Sequence, residues 1–371
     1  MPLYLNDDQA MLRDTARGFI GEEGAIAKQL RHWRDTGCKD GFGHALWKQF
    51  AEMGFTGILI DEADGGLGLG HVEAGIVLEE IGRNLTPSPF LISAVAFVAA
   101  LKGTALGARW YPGILAGETV AALALDEGPK HRPEAIAMRA ERSGNGFSLS
   151  GCKQFVVQGA SADVILVAAQ TDEGLTLFAV EKGARGLEVE GVRLADASIG
   201  ARLEFDGVEV DADAVVGEVG GGAAVLARAL EAGRAGAAAE LVGVGGAAMD
   251  MTVDYLRQRR QFGRLIGEFQ ALQFRSAHLY SELEIARAAT LKAQQLLDEG
   301  SADADAMVSV AKAKAGRAAQ LAVQEGVQMH GGIGMTDEYD IGLYMKRDRV
   351  LNELFGDPAY HADRLARMKG Y

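Results

Sequence analysis

From Ala223 onward the chain is Ala-rich and patterned almost throughout as helix, and this stretch constrains the fold most. Apolar residues recur at helical spacing over about 223–260, 268–298, 302–330 and 338–354. Gly300-Ser301 divides the second stretch from the third, and Gly331-Gly332 ends the third. Four long helices with short breaks predict an antiparallel bundle. Glycine supplies 49 residues, and small residues at such density suit closely packed helices.

The preceding residues change texture at about Thr119. Before it, Gln9, Leu12, Ala16, Phe19 and Ile20 follow helical spacing behind a start signal at Asn6-Asp7-Asp8. Further helices are predicted over 44–53, capped by Gly54, over 71–81 and over 90–101, with a glycine loop at 64–70 and breaks at Pro87 and Pro89. After Thr119, short apolar runs at 120–125, 135–140, 154–157, 164–169, 175–180 and 203–205 predict strands of a small barrel or sandwich, ending in the glycine cluster 217–222. The expected class is an α+β multidomain protein. It has an N-terminal helical domain (1–117), a middle β-barrel or sandwich domain (118–220) and a C-terminal four-helix bundle (221–371).

Several function classes have no support. A net charge of −14 and pI near 5.0 argue against nucleic-acid binding, though local arginines suffice for a phosphorylated small ligand. Cys38 and Cys152 form no CxxC pair and read as packing residues of a reduced compartment. Asp7, Asp8 and Asp14 precede any long apolar run, so no signal peptide is expected. The longest apolar run, Phe90–Leu101, is twelve residues, against about 20 for a membrane span, and a cytoplasmic location is expected. The seven histidines show no metal-ligand spacing, so no metal is expected, and no GxSxG occurs. Gly66-Leu67-Gly68-Leu69-Gly70 lacks the GxGxxG spacing and reads as a loop between helices. Arg257, Arg259, Arg260 and Arg264 cluster at the end of the first C-terminal helix. On their own they suit either a patch for phosphate oxygens or solvated arginines complementing a helix dipole.

Longer motifs carry more. Tyr255 to Gly263 reads YLRQRRQFG, followed by Ile266, Phe269-Gln270 and Gln273, and Gln328 to Tyr339 reads QMHGGIGMTDEY, followed by Lys346-Arg347-Asp348. With Gly65-Gly66-Leu67-Gly68 and Gly151-Cys152-Lys153-Gln154-Phe155, they span essentially the whole chain, which resembles the acyl-CoA dehydrogenase family. The resemblance implies an FAD-dependent α,β-desaturation of an acyl-CoA thioester, with electrons passed to an acceptor such as an electron-transfer flavoprotein. It places Arg259 on the FAD pyrophosphate across a subunit interface, in a homo-oligomer (dimer or tetramer). Phe262 and Gln270 then lie along the adenine, Gln328, Gly331 and Gly332 approach the same cofactor, and Arg234 stands on the substrate side.

The base is where the chain departs. Removing a weakly acidic α-proton requires a positioned carboxylate. The family's Tyr-Glu-Gly-Thr segment matches Phe355, Gly356, Asp357 and Pro358, and its alternative glutamate-arginine pair matches Gly233-Arg234. Both usual base positions are glycine. Asp357, Glu353 and Glu240 are weak substitutes, with ordinary surface or paired roles as the competing reading. In the β domain, Asp126 stands where the family has a hydroxyl near the flavin ring. Phe155 keeps the family's aromatic, and Val157 replaces its Thr or Ser. Elements serving a neighbour's cofactor are intact and those serving the chain's own are altered. This fits one subunit of a heterotetramer with a glutamate-bearing homologue, similar to pairs acting on dicarboxyl- or steroid-derived CoA esters. A non-catalytic oligomerising member of the fold, or another flavin oxidase chemistry such as a nitroalkane-type oxidase, stays open beside it.

Overall fold

The computed structural model describes residues 3–371. Contacts sort them into two compact units. One comprises the N-terminal stretch up to Lys28 with Gly75–Thr86 and Arg234–Tyr371, and the other Gln29–Ala74 with Pro87–Gly233.

In the first unit, helix α1 (Asp7–Glu23) starts at a capping box in which Asn6 and Gln9 each accept the other's backbone N–H. Helix α3 (His71–Asn84) reaches into the same unit, while α2 (His44–Glu52) and α4 (Leu106–Leu115) belong to the second. The C-terminal helices are α5 (Gly222–Gln258), which enters the first unit at Arg234, α6 (Gln270–Asp298), α7 (Ala304–His330), α8 (Ile341–Glu353) and α9 (Pro358–Met368). The four expected long helices are present, and α9 adds a fifth. Asp357 starts it as N-cap, accepting the Tyr360 N–H at 2.7 Å, with Pro358 in the first turn.

The small residues let helices meet at their backbones. A Cβ on Gly82 would lie 2.1 Å from the Glu240 carbonyl oxygen, and one on Gly243 2.0 Å from that of Glu79, so α3 and α5 cross where neither tolerates a side chain.

In the second unit the strands join one seven-stranded sheet, in the order β1-β4-β2-β3-β7-β6 with β5 also beside β4. The strands are β1 (Ala121–Ala124), β2 (Arg139–Ser143), β3 (Gly146–Val157), β4 (Val164–Thr171), β5 (Gly174–Glu181), β6 (Leu187–Arg193) and β7 (Ile199–Val210). β1 runs parallel to β4, and the long β3–β7 pair is antiparallel. Two expectations shift. The strand expected at 135–140 begins at Arg139, and the N–H groups of Ala137 and Met138 donate to the Glu127 carboxylate instead of to a neighbouring strand. The 90–101 helix is a π-helical stretch, Leu91–Phe97, followed by one turn, Val98–Leu101.

Candidate functional site

The position matching the family's base lies in the turn between α8 and α9. Phe355 and Gly356 both have positive φ, +60° and +103°, which side chains rarely adopt at the second value. Three helices hold this turn. Arg234 on α5 donates from Nε to the Phe355 carbonyl at 3.3 Å, and His361 on α9 donates from Nε2 to the same oxygen at 3.1 Å. Lys312 on α7, fully buried, donates from Nζ to the carbonyls of Leu351 (2.9 Å), Asn352 (3.3 Å) and Gly356 (3.1 Å).

Arg234 also reaches Tyr360 through Nη2, 3.2 Å from the hydroxyl, and its guanidinium lies 5.7 Å from the ring centroid. A Cβ added to Gly356 would meet that ring at 2.4 Å. Arg234, placed on the substrate side by sequence, is thus buried and engaged with the turn.

The charges behind the turn are strongly perturbed. Burial pushes the Lys312 amine down to about 7. Burial pushes the Asp348 carboxyl up to about 7, against the opposing pull of Lys312 and a 2.8 Å hydrogen bond from Asn352.

The three substitute carboxylates have structural work. Asp357 caps α9. Glu353 pairs with Arg349 at 3.0 Å one turn away on α8. Glu240, 1% exposed, accepts from Arg347 Nε (2.8 Å) and Nη2 (2.6 Å). Gly233 is buried within α5.

The cofactor-type motifs form a separate open region of the first unit. After α5, Arg260–Gln261 pairs with Arg264–Leu265 in a small hairpin whose tip, Phe262-Gly263, has φ of +53° and +81°. Phe262 is 90% exposed and Arg264 stacks over Phe269 at 4.4 Å. Arg259 is exposed, and among the described residues its guanidinium has no ion-pair partner. Gln270 opens α6 and Gln328 lies in the last turn of α7, both exposed. Gly331 has φ +65°, and a Cβ on Gly331 or Gly332 would meet nothing within 4 Å. Beneath them His330, packed on Tyr255 with centroids 4.5 Å apart, bonds through Nδ1 to the Gly326 carbonyl (2.7 Å) and through Nε2 to Tyr339 (3.1 Å). Open main chain, an uncommitted arginine and an exposed aromatic fit the phosphates and base of a dinucleotide.

In the second unit the Asp126 carboxylate is already engaged, accepting from His131 Nδ1 and the Arg132 N–H, each at 3.0 Å. Fully buried Lys153 donates to Glu127 (2.7 Å) and to the Leu125 carbonyl (3.1 Å), which ties the loop after β1 to β3. Phe155 has φ +52° where the β3–β7 register shifts, and Val157 beyond it is 9% exposed. These side chains fit the ring end of a flavin poorly. Asp126 offers an engaged carboxylate and Val157 an aliphatic group, neither of them a hydroxyl donor.

Sequence reasoning missed Lys312. The available signal was its position on the Val308, Ala311, Ala315, Ala319 face of α7, an apolar stripe with one lysine in it.

Residues 6–118 match the family model of the acyl-CoA dehydrogenase N-terminal domain, and residues 220–369 that of the C-terminal domain. The chain belongs to the acyl-CoA dehydrogenase family. Cyclohex-1-ene-1-carbonyl-CoA dehydrogenase of Geobacter metallireducens is 34% identical over 95% of both proteins. Among solved structures, the ChsE4-ChsE5 complex from Mycobacterium tuberculosis superposes with TM-score 0.92 at 25% identity, over 100% of this chain and 99% of that one. A variant of the Tcur3481-Tcur3483 steroid ACAD does so with TM-score 0.90 at 29% identity, over 98% of both. The acyl-CoA dehydrogenase family comprises flavoprotein oxidoreductases, and its reaction is the desaturation of acyl-CoA. Among the described residues no helix is long and apolar enough to cross a membrane, and no cluster of His, Cys, Asp and Glu is arranged to hold a metal ion.

Proposed function

We propose that this chain is the base-lacking subunit of a heteromeric FAD-dependent acyl-CoA dehydrogenase, working with a homologous subunit that supplies the glutamate. The observation that carries this reading is Gly356, whose φ of +103° and contact with Tyr360 leave no room for a side chain at the usual base position. Asp357, Glu353 and Glu240 are each engaged elsewhere, which supports it further.

In this reading Arg259 binds the pyrophosphate of the partner's FAD, and Phe262 and Gln270 pack along its adenine. Gln328 and the Gly331-Gly332 main chain close over the same cofactor. Bound FAD supplies a hydride acceptor for the β-carbon of the acyl thioester, and an electron-transfer flavoprotein-type carrier is the expected oxidant. This chain orients the cofactor, excludes water beside it and contributes no proton acceptor. Two solved neighbours that carry paired names, one called a complex and the other a steroid ACAD, support a two-subunit assembly and a bulky acyl group.

The test is purification with and without a co-expressed glutamate-bearing homologue. The reading expects a stable mixed assembly that retains flavin and desaturates an acyl-CoA, and little retained flavin on the chain alone. A homo-oligomer with one FAD per chain and full turnover contradicts it.

A further inference from the structure

We infer that the Phe355–Gly356 turn is a backbone lock, in which Arg234, Lys312 and His361 hold its carbonyls inward while Tyr360 fills the place where a side chain at 356 would begin. A carboxylate is therefore excluded by conformation as well as by sequence. This deepens the base-lacking reading above, on which its functional meaning rests.

The lock has no slack. The Phe355 oxygen accepts two donors, from α5 and α9, and the Gly356 oxygen accepts a third, from α7. In its charged form Lys312 has three ammonium protons for three carbonyl acceptors. Tyr360 is restrained at both ends, by Asp357 at its backbone N–H and by Arg234 at its hydroxyl. A Cβ at 356 would meet ring carbons Cδ1 and Cε1, at 2.4 and 2.9 Å, and His361 Nε2 at 3.1 Å, all belonging to restrained groups. A Cβ there also opposes the backbone, since φ of +103° suits glycine alone. Replacing Gly356 by glutamate would thus break the turn before it delivered a base.

A double-mutant cycle on the full chain tests this by reversible unfolding. Gly356→Ala is expected to lower the folded-to-unfolded ratio about tenfold or more. The loss from the same substitution is expected to be smaller once Tyr360→Ala has removed the ring. Strictly additive losses, or a neutral Gly356→Ala, overturn the lock. If Gly356→Ala does not fold, hydrogen exchange of Tyr360→Phe and Lys312→Met decides. Amides of 354–357 are expected to exchange about tenfold faster than in the parent protein, with α6 unchanged. Unchanged exchange at 354–357 overturns the lock. Neither measurement involves flavin or partner, so the lock and the proposed function fail independently.

Discussion

Glu240 is a buried carboxylate whose removal from water is offset by two close hydrogen bonds from Arg347, itself partly exposed. Removing one partner leaves a buried charge, so Arg347→Met is expected to cost about 3–5 kcal/mol, read from chemical unfolding. Asp348 and Lys312 give the stability a pH signature. The Asp348 carboxyl rises from 3.8 unfolded to about 7 folded, so its contribution is fully present below pH 3.8 and is lost as pH climbs towards 7. The Lys312 amine falls from 10.5 to about 7, so its contribution is full above pH 10.5 and is lost as pH drops towards 7. Their joint contribution is smallest near neutrality. Unfolding at a series of pH values is expected to show Asp348→Asn removing the acid-side fall and Lys312→Met removing the alkaline-side rise. A parent profile without either limb contradicts the assignment.

Helices α3 and α5 touch backbone to backbone at Gly82 and Gly243. Gly243→Ala is expected to cost about 1–3 kcal/mol through overpacking despite alanine's better helix propensity, measured as a lowered unfolding midpoint. An unchanged or higher midpoint would mean the helices separate freely. The long C-terminal helices were legible because their apolar spacing persists over many turns, whereas α9 starts at an Asp357-Pro358 signal that a base-position comparison hides. β6 was missed because its residues are almost all exposed and give no inward-outward alternation. Helix α4 was missed because Pro112, inside it, reads as a breaker. The strand expected at 135–140 starts late because the Ala137 N–H goes to Glu127, a contact ten residues away that periodicity does not register.

Across the whole molecule, residues suited to a cofactor divide unevenly. Those around Arg259 and Gly331-Gly332 stay open, while Asp126 and the turn at Gly356 are engaged or closed. The motifs of the open region were readable as strings, because a phosphate site needs particular residues in a local order. The closed turn was readable only as a missing glutamate, since its donors come from positions 234, 312 and 361 and meet only in the fold. In the mixed assembly, Arg259→Ala is expected to weaken FAD retention about tenfold or more by removing a charge-assisted phosphate contact, read by fluorescence titration with the assembly intact. The central claim, that another chain supplies the carboxylate, is tested most directly by anaerobic flavin bleaching with an acyl-CoA substrate. The purified chain alone is expected to show no bleaching, and the assembly is expected to bleach and to lose that response when the partner's glutamate is changed to glutamine. Full bleaching and turnover by this chain alone would contradict the account.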